Sequence, residues 1–191
     1  MKARFRVIGI LTAATTLLLG GTGVTSASAA NAAAGDTPAV TSRLVVQFEW
    51  LRNVNSGQCL AVPGGSMEQG TGLIQWPCAG WMDHKWHLKA AFTSGGLQYF
   101  QIMNGNSGQC LALPGGSTAA GTQVIQWPCG DWKDHYWGAE FTNHGVRLKN
   151  WNSGQCLSIP GGSGVEGERV IQWPCGDWLD QSWRYETSSA S

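Results

Sequence analysis

Asn55-Ser56-Gly57-Gln58-Cys59-Leu60 is read again as Asn106 to Leu111 and a third time as Asn152 to Leu157. Each copy runs on to Pro-Gly-Gly-Ser, at Pro63 to Ser66, Pro114 to Ser117 and Pro160 to Ser163. Each then reaches Ile-Gln-Trp-Pro-Cys, at Ile74 to Cys78, Ile125 to Cys129 and Ile171 to Cys175. Two further tryptophans follow at a five-residue step: Trp81 and Trp86, Trp132 and Trp137, Trp178 and Trp183. The first cysteines stand at 59, 110 and 156, so the periods are 51 and 46 residues. Self-similarity on this scale marks a repeat architecture, and three copies fill the chain from about Val45 to Tyr185.

Within a copy the apolar runs are short and bounded by turn residues. Leu44 to Trp50, Cys59 to Val62, Leu73 to Trp76 and Lys85 to Leu88 each suit a short strand. Asn55-Ser56-Gly57 and Pro63-Gly64-Gly65 supply the turns between them. No window after the first thirty residues holds a helical apolar period. Four strands in three copies predict twelve short strands. An open stack would expose its ends, whereas a closed three-fold barrel lets each unit bury its apolar face against the other two. The expected fold is all-β, a β-trefoil of three pseudo-symmetric four-stranded repeats.

The six cysteines obey the same symmetry. Three pairings respect it: within each repeat, or around the ring in either of two offsets. The separation inside a repeat is 19 in every copy while the linkers vary, which favours Cys59 with Cys78, Cys110 with Cys129 and Cys156 with Cys175. Zinc is the rival, but its cysteine ligands usually come in pairs two to four residues apart, and no such pair occurs.

Met1 to about Ala30 has the parts of a secretory signal: Lys2, Arg4 and Arg6, an apolar stretch from Val7 to Gly20, then Ala27-Ser28-Ala29. The apolar stretch is too short to span a bilayer. Its removal leaves nine basic against twelve acidic residues, a mildly acidic chain with no surplus to neutralise phosphates. Nucleic-acid binding and stable membrane insertion are not expected. The expected layout is a signal at 1–30, a flexible lead-in at 31–43, the trefoil at 44–186 and a tail at 187–191. The lobes fall at about 45–90, 97–140 and 145–185. A secreted, extracellular protein stapled by disulfides is the consistent reading.

The pattern Asn-Ser-Gly-Gln-Cys-Leu, Ile-Gln-Trp-Pro-Cys and a closing Trp resembles the ricin-type lectin repeat in all three copies. The resemblance implies a β-trefoil, the within-repeat disulfides, and up to three shallow sugar sites for galactose, lactose, xylan or related polysaccharides. It places the stacking aromatic two residues before the second cysteine, at Trp76, Trp127 and Trp173. A sugar site needs such an aromatic face and planar polar groups for the hydroxyls. The usual Asn three residues before the closing Trp is Asp83, Asp134 and Asp180 here. Next to it stand His84, His135 and Gln181. The family's sugar-clamping Asp, two residues after the first cysteine, is replaced by Ala61, Ala112 and Ser158, so galactose recognition in the usual manner is not expected.

Two readings follow. In one, Trp76, Trp127 and Trp173 pack a barrel whose sites are silent. In the other, the site has moved toward Gly130-Asp131-Trp132-Lys133-Asp134-His135 and its equivalents, where Trp81, Trp132 and Trp178 stand with Asp131 and Asp177. Trp86, Trp137 and Trp183, ending the repeats on strands, are expected in the core. The expected partner is a glycan or polysaccharide; the alternative is a protein-interaction or inhibitor trefoil using the unlike segments Lys89 to Ile102, Ala139 to His144 or Gly164 to Glu168. No enzyme motif is present, and notable polar residues recur between lobes where a single active site would need unlike ones. Neither cofactor nor metal is expected: His84 with Asp83, and His135 with Asp134, lack a third ligand at matching spacing.

Overall fold

The structure, a computed structural model, describes residues 47–187. The expected signal, the whole of the lead-in, Leu44 to Val46 of the first expected strand, and Ser188 to Ser191 of the tail lie outside them.

Twelve strands run through the described residues, four to a lobe. They are β1 Glu49–Asn53, β2 Cys59–Ala61, β3 Ile74–Trp76 and β4 Lys85–Ser94, then β5 Leu97–Asn104, β6 Cys110–Ala112, β7 Ile125–Trp127 and β8 Tyr136–Phe141. The third lobe has β9 Val146–Asn150, β10 Cys156–Ser158, β11 Ile171–Trp173 and β12 Trp183–Glu186. The first and last strand of each lobe pair with each other, β1 with β4, β5 with β8 and β9 with β12. Across lobes β4 pairs β5, β8 pairs β9 and β12 pairs β1, so six strands close into a barrel with no free edge. The middle strands make three hairpins, β2–β3, β6–β7 and β10–β11. This is the β-trefoil expected from the repeat.

Two strands depart from expectation. The first strand extends to Asn53, three residues beyond the expected end at Trp50. The fourth runs from Lys85 to Ser94 rather than stopping at Leu88; it has ten residues where β8 has six and β12 four. Exposed residues, Phe92 apart, fill its far end, so apolar patterning could not mark it. It is held by backbone pairing to β5, with a bulge between Ala90 and Phe92.

The core is five sets of three equivalent residues: Leu51, Ile102, Leu148; Leu60, Leu111, Leu157; Val62, Leu113, Ile159; Leu73, Val124, Val170; and Trp86, Trp137, Trp183. Each buried indole donates to a carbonyl 26 residues earlier, Trp86 to Leu60 at 2.9 Å, Trp137 to Leu111 at 3.1 Å and Trp183 to Leu157 at 3.0 Å. At the pseudo-three-fold axis the amide of Leu73 donates to Val124 O (2.8 Å), Val124 to Val170 O (2.9 Å), and Val170 back to Leu73 O (2.9 Å). Three disulfides, Cys59–Cys78, Cys110–Cys129 and Cys156–Cys175, fall one to a lobe, and no described cysteine is left free for zinc.

Candidate functional site

Each lobe carries one surface cleft, and the same positions line all three. In lobe one Ala61, Ile74, Trp76, Trp81 and Asp83 face the Pro63-Gly64-Gly65 turn. In lobe two Ile125, Trp127, Trp132 and Asp134 face Pro114-Gly115-Gly116, and in lobe three Ser158, Ile171, Trp173, Trp178 and Asp180 face Pro160-Gly161-Gly162. The two tryptophans posed as rivals by the sequence therefore belong to one site. Trp76, Trp127 and Trp173 end the hairpin strands directly opposite the first cysteines and are 37 to 43% exposed. Trp81, Trp132 and Trp178 precede short 3-10 turns and are 53 to 62% exposed. A plain core has no use for this second, largely solvated set.

The Pro-Gly-Gly turn has a fixed shape because its two glycines both have positive φ, +60° and +63° in lobe one. The following lobe clamps it. Asn106 Nδ2 donates to Gly65 O at 2.8 Å, Asn152 to Gly116 O at 2.7 Å, and Asn55 closes the ring on Gly162 O at 2.8 Å. Two residues earlier, buried Asn104, Asn150 and Asn53 donate to the backbone carbonyls of Asp83, Asp134 and Asp180 at 2.9, 2.7 and 2.8 Å. Both walls of a cleft are thus fixed by the neighbouring lobe. Sequence reasoning missed these six asparagines as site-building residues; their one signal was recurrence at the head of every repeat.

The cleft carboxylates of lobes two and three are half-committed. Asp134 Oδ2 accepts the Leu113 amide at 3.2 Å, and Asp180 Oδ2 accepts the Ser158 hydroxyl at 2.7 Å. Their other oxygens accept nothing within the described residues. Ser158 therefore braces Asp180 in the third lobe, where Ala61 and Ala112 are small and buried in the others. The third cleft is also the smallest, 430 Å³ against 890 and 860 Å³ in lobes one and two.

Three expected site residues lie elsewhere. Gln181 is fully buried; its Oε1 accepts the Gly176 amide at 2.8 Å and its Nε2 donates to Pro174 O at 2.9 Å, holding the loop before Trp178. Asp131 is outside the lobe-two cleft and accepts the Tyr136 hydroxyl. Asp177 is exposed and outside the lobe-three cleft. All three support or border the loop, because the turn sends their side chains away from the Pro-Gly-Gly wall.

His84 and His135 occupy the buried position of Gln181, with Nε2 at 3.5 Å from Asp83 Oδ2 and 3.7 Å from Asp134 Oδ2. Burial pushes both imidazoles below the ordinary 6.5, outweighing the pull of the neighbouring carboxylates. A folded-state value below the unfolded one means the unfolded chain takes up protons first. The stability is present above pH 6.5 and is lost as pH falls through the folded values. Replacing both with the residue used by lobe three, His84→Gln with His135→Gln, is expected to flatten the fall in Tm below pH 6.5. An unchanged acid limb in the double variant would place the sensitivity elsewhere.

Among the described residues no cluster of His, Cys, Asp or Glu is arranged to hold a metal ion, and no helix is long and apolar enough to cross a membrane. The model of the ricin-type β-trefoil lectin domain matches residues 98–191, and that of the ricin-type β-trefoil lectin domain-like family matches 47–127. The chain belongs to the ricin-type β-trefoil lectin family. No curated protein sequence matches this ricin-type chain. Among solved structures it is similar to ThreeFoil, a designed three-fold symmetric protein, at 27% identity and TM-score 0.67, over 72% of this chain and 96% of that one. It is also similar to an exo-β-1,3-galactanase from Clostridium thermocellum, at 23% identity and TM-score 0.69, over 74% of this chain but 30% of the enzyme. A Macrolepiota procera ricin B-like lectin, solved with lactose, aligns at 19% identity and TM-score 0.61, over 77% of this chain and 99% of that lectin. The last two likenesses concern the trefoil fold alone.

Proposed function

We propose that this protein is a secreted lectin that binds extracellular glycan or polysaccharide through its three clefts, with a specificity different from the usual galactose mode. One observation carries the reading. Every lobe presents two solvent-facing tryptophans and a carboxylate, Asp83, Asp134 or Asp180, against a rigid glycine turn, and Asp134 and Asp180 each keep one oxygen free. The indole faces suit the apolar side of a pyranose, and the free carboxylate oxygen accepts from hydroxyls. With Ala61, Ala112 and Ser158 at the usual clamp position, the carboxylate enters from the 3-10 turn instead, which changes the hydroxyl pattern that is read. The amino-terminal segment read as an export signal, together with the disulfides, supports action outside the cell. Three equivalent clefts on one rigid body also favour multivalent attachment to polymers over tight capture of one sugar.

The test is a glycan array and an insoluble-polysaccharide pull-down with the oxidised protein beside the triple variant Trp76→Ala, Trp127→Ala, Trp173→Ala. Retention of the wild type and its loss, by about tenfold or more, in the folded variant is the expected result. A folded wild type that retains no glycan refutes the proposal and makes a protein partner the leading role.

A further inference from the structure

Resting on the lectin reading, we infer that lobe two alone has a second pyranose subsite, built by Trp151 and Lys133, and takes a neutral oligosaccharide of at least two units. The three lobes differ where the 3-10 turn of one meets the asparagine turn of the next. Met82 meets Gly105 in lobe one and Lys133 meets Trp151 in lobe two, and the equivalent positions in lobe three are Leu179 and Val54. In lobe one the position is closed: a Cβ on Gly105 would lie 2.8 Å from Met82 Cε and 2.9 Å from Met82 O. In lobe three both members are aliphatic. Only lobe two joins an aromatic face to a hydrogen-bond donor, the two things a sugar ring requires.

Trp151 stands next to the cleft through its neighbours, since Asn152, which follows it in the chain, and Lys133, which reaches its ring, both line it. The Lys133 ammonium lies over the Trp151 ring, 5.7 Å from its centre, so a stacking sugar moves it aside to the sugar's hydroxyls. The indole is 39% exposed, yet it is firmly seated. Phe92 packs against it at 4.5 Å between ring centres, Tyr136 at 5.9 Å and Tyr99 at 6.0 Å. These come from the overlong β4, from β8 and from β5, so the platform exists because the β4–β5 hairpin departs from three-fold symmetry. A pre-ordered indole loses little entropy when a ring stacks on it. Charge selects the ligand: Asp134 lines the cleft together with Lys133, so a carboxylate offsets the one ammonium, and a carboxylated sugar is disfavoured.

The test isolates lobe two with Trp76→Ala and Trp173→Ala, and titrates xylose, xylobiose and xylotriose, then galactose, β-1,3-galactobiose and lactose. The expected result is an affinity gain of about fivefold from one unit to two in at least one series, with the ratio near one after Trp151→Ala. Since Trp151→Ala loosens the aromatic cluster, Trp151→Phe is the companion and retains most of the gain. The Trp151 indole N–H resonance, assigned by its absence in Trp151→Phe, shifts with the disaccharide and not with the monosaccharide. No gain with length, or a gain that survives Trp151→Ala, overturns the subsite, as does equal affinity for a uronic-acid-capped xylobiose. No binding of any member while the wild type is retained by polysaccharide also overturns it. If the polysaccharide screen is blank as well, the lectin reading itself has failed.

Discussion

Reduction of the three disulfides is expected to unfold the domain at room temperature and neutral pH. The hairpins β2–β3, β6–β7 and β10–β11 are three residues to a strand, too short to hold themselves together. Each is tied by one bridge that closes a loop of sequence separation 19. Constraint of the unfolded chain stabilises by about 3 kcal/mol for a loop of that size. Three such losses reach roughly 9 kcal/mol, which is comparable with the whole stability of a small domain, about 5–15 kcal/mol. Cys129 and Cys175 are exposed, so a reductant reaches them without prior opening. Near-ultraviolet circular dichroism during treatment with excess phosphine reductant is the measurement. A fully reduced chain that keeps its tryptophan signal would show that the closed barrel suffices alone.

Trp137→Ala is expected to cost about 5 kcal/mol in a denaturant titration. Truncating a fully buried large aromatic costs about 3–5 kcal/mol, because the cavity cannot collapse completely. The indole also donates to Leu111 O at 3.1 Å, and an unsatisfied buried carbonyl adds about 1–3 kcal/mol. Trp132→Ala, five residues earlier and 55% exposed, is the control, expected within about 0.5 kcal/mol of wild type. The pair separates two tryptophans that look alike in the sequence. A loss below about 2 kcal/mol for Trp137→Ala would mean that the other two indoles re-pack into the gap.

The spacing of short signals explains what could be read beforehand. Cys59 and Cys78, the turn at Pro63 and the closing Trp86 lie within one repeat, so recurrence alone exposed the trefoil and its disulfides. The clefts are made across repeats. Asn106 reaches Gly65 and Asn55 reaches Gly162, contacts 41 and 107 residues apart that no local pattern announces. Gln181 was misplaced for a different reason: beside Asp180 it looks like a sugar contact, but the 3-10 turn points one side chain to the cleft and the next into the loop. Trp76 and Trp81 looked like competing sites because five residues separate them, and the turn between brings both to one cleft. The Trp151 platform draws on β4, β5 and β8, and its assembly depends on an extension of β4 that apolar periodicity does not mark.

The asparagine clamps decide what the smallest working version of this molecule is. Every cleft has its indoles and carboxylate from one lobe and the brace on its glycine turn from the next, with lobe one bracing lobe three. A peptide the length of a single repeat therefore contains two unmatched halves of a binding surface and no whole one. It gains a complete surface only as a ring of three copies. A chain of one repeat would have to assemble as a homotrimer before it could recognise anything. Carrying the three repeats on one polypeptide lets each boundary differ from the others, as Gly105, Trp151 and Val54 do.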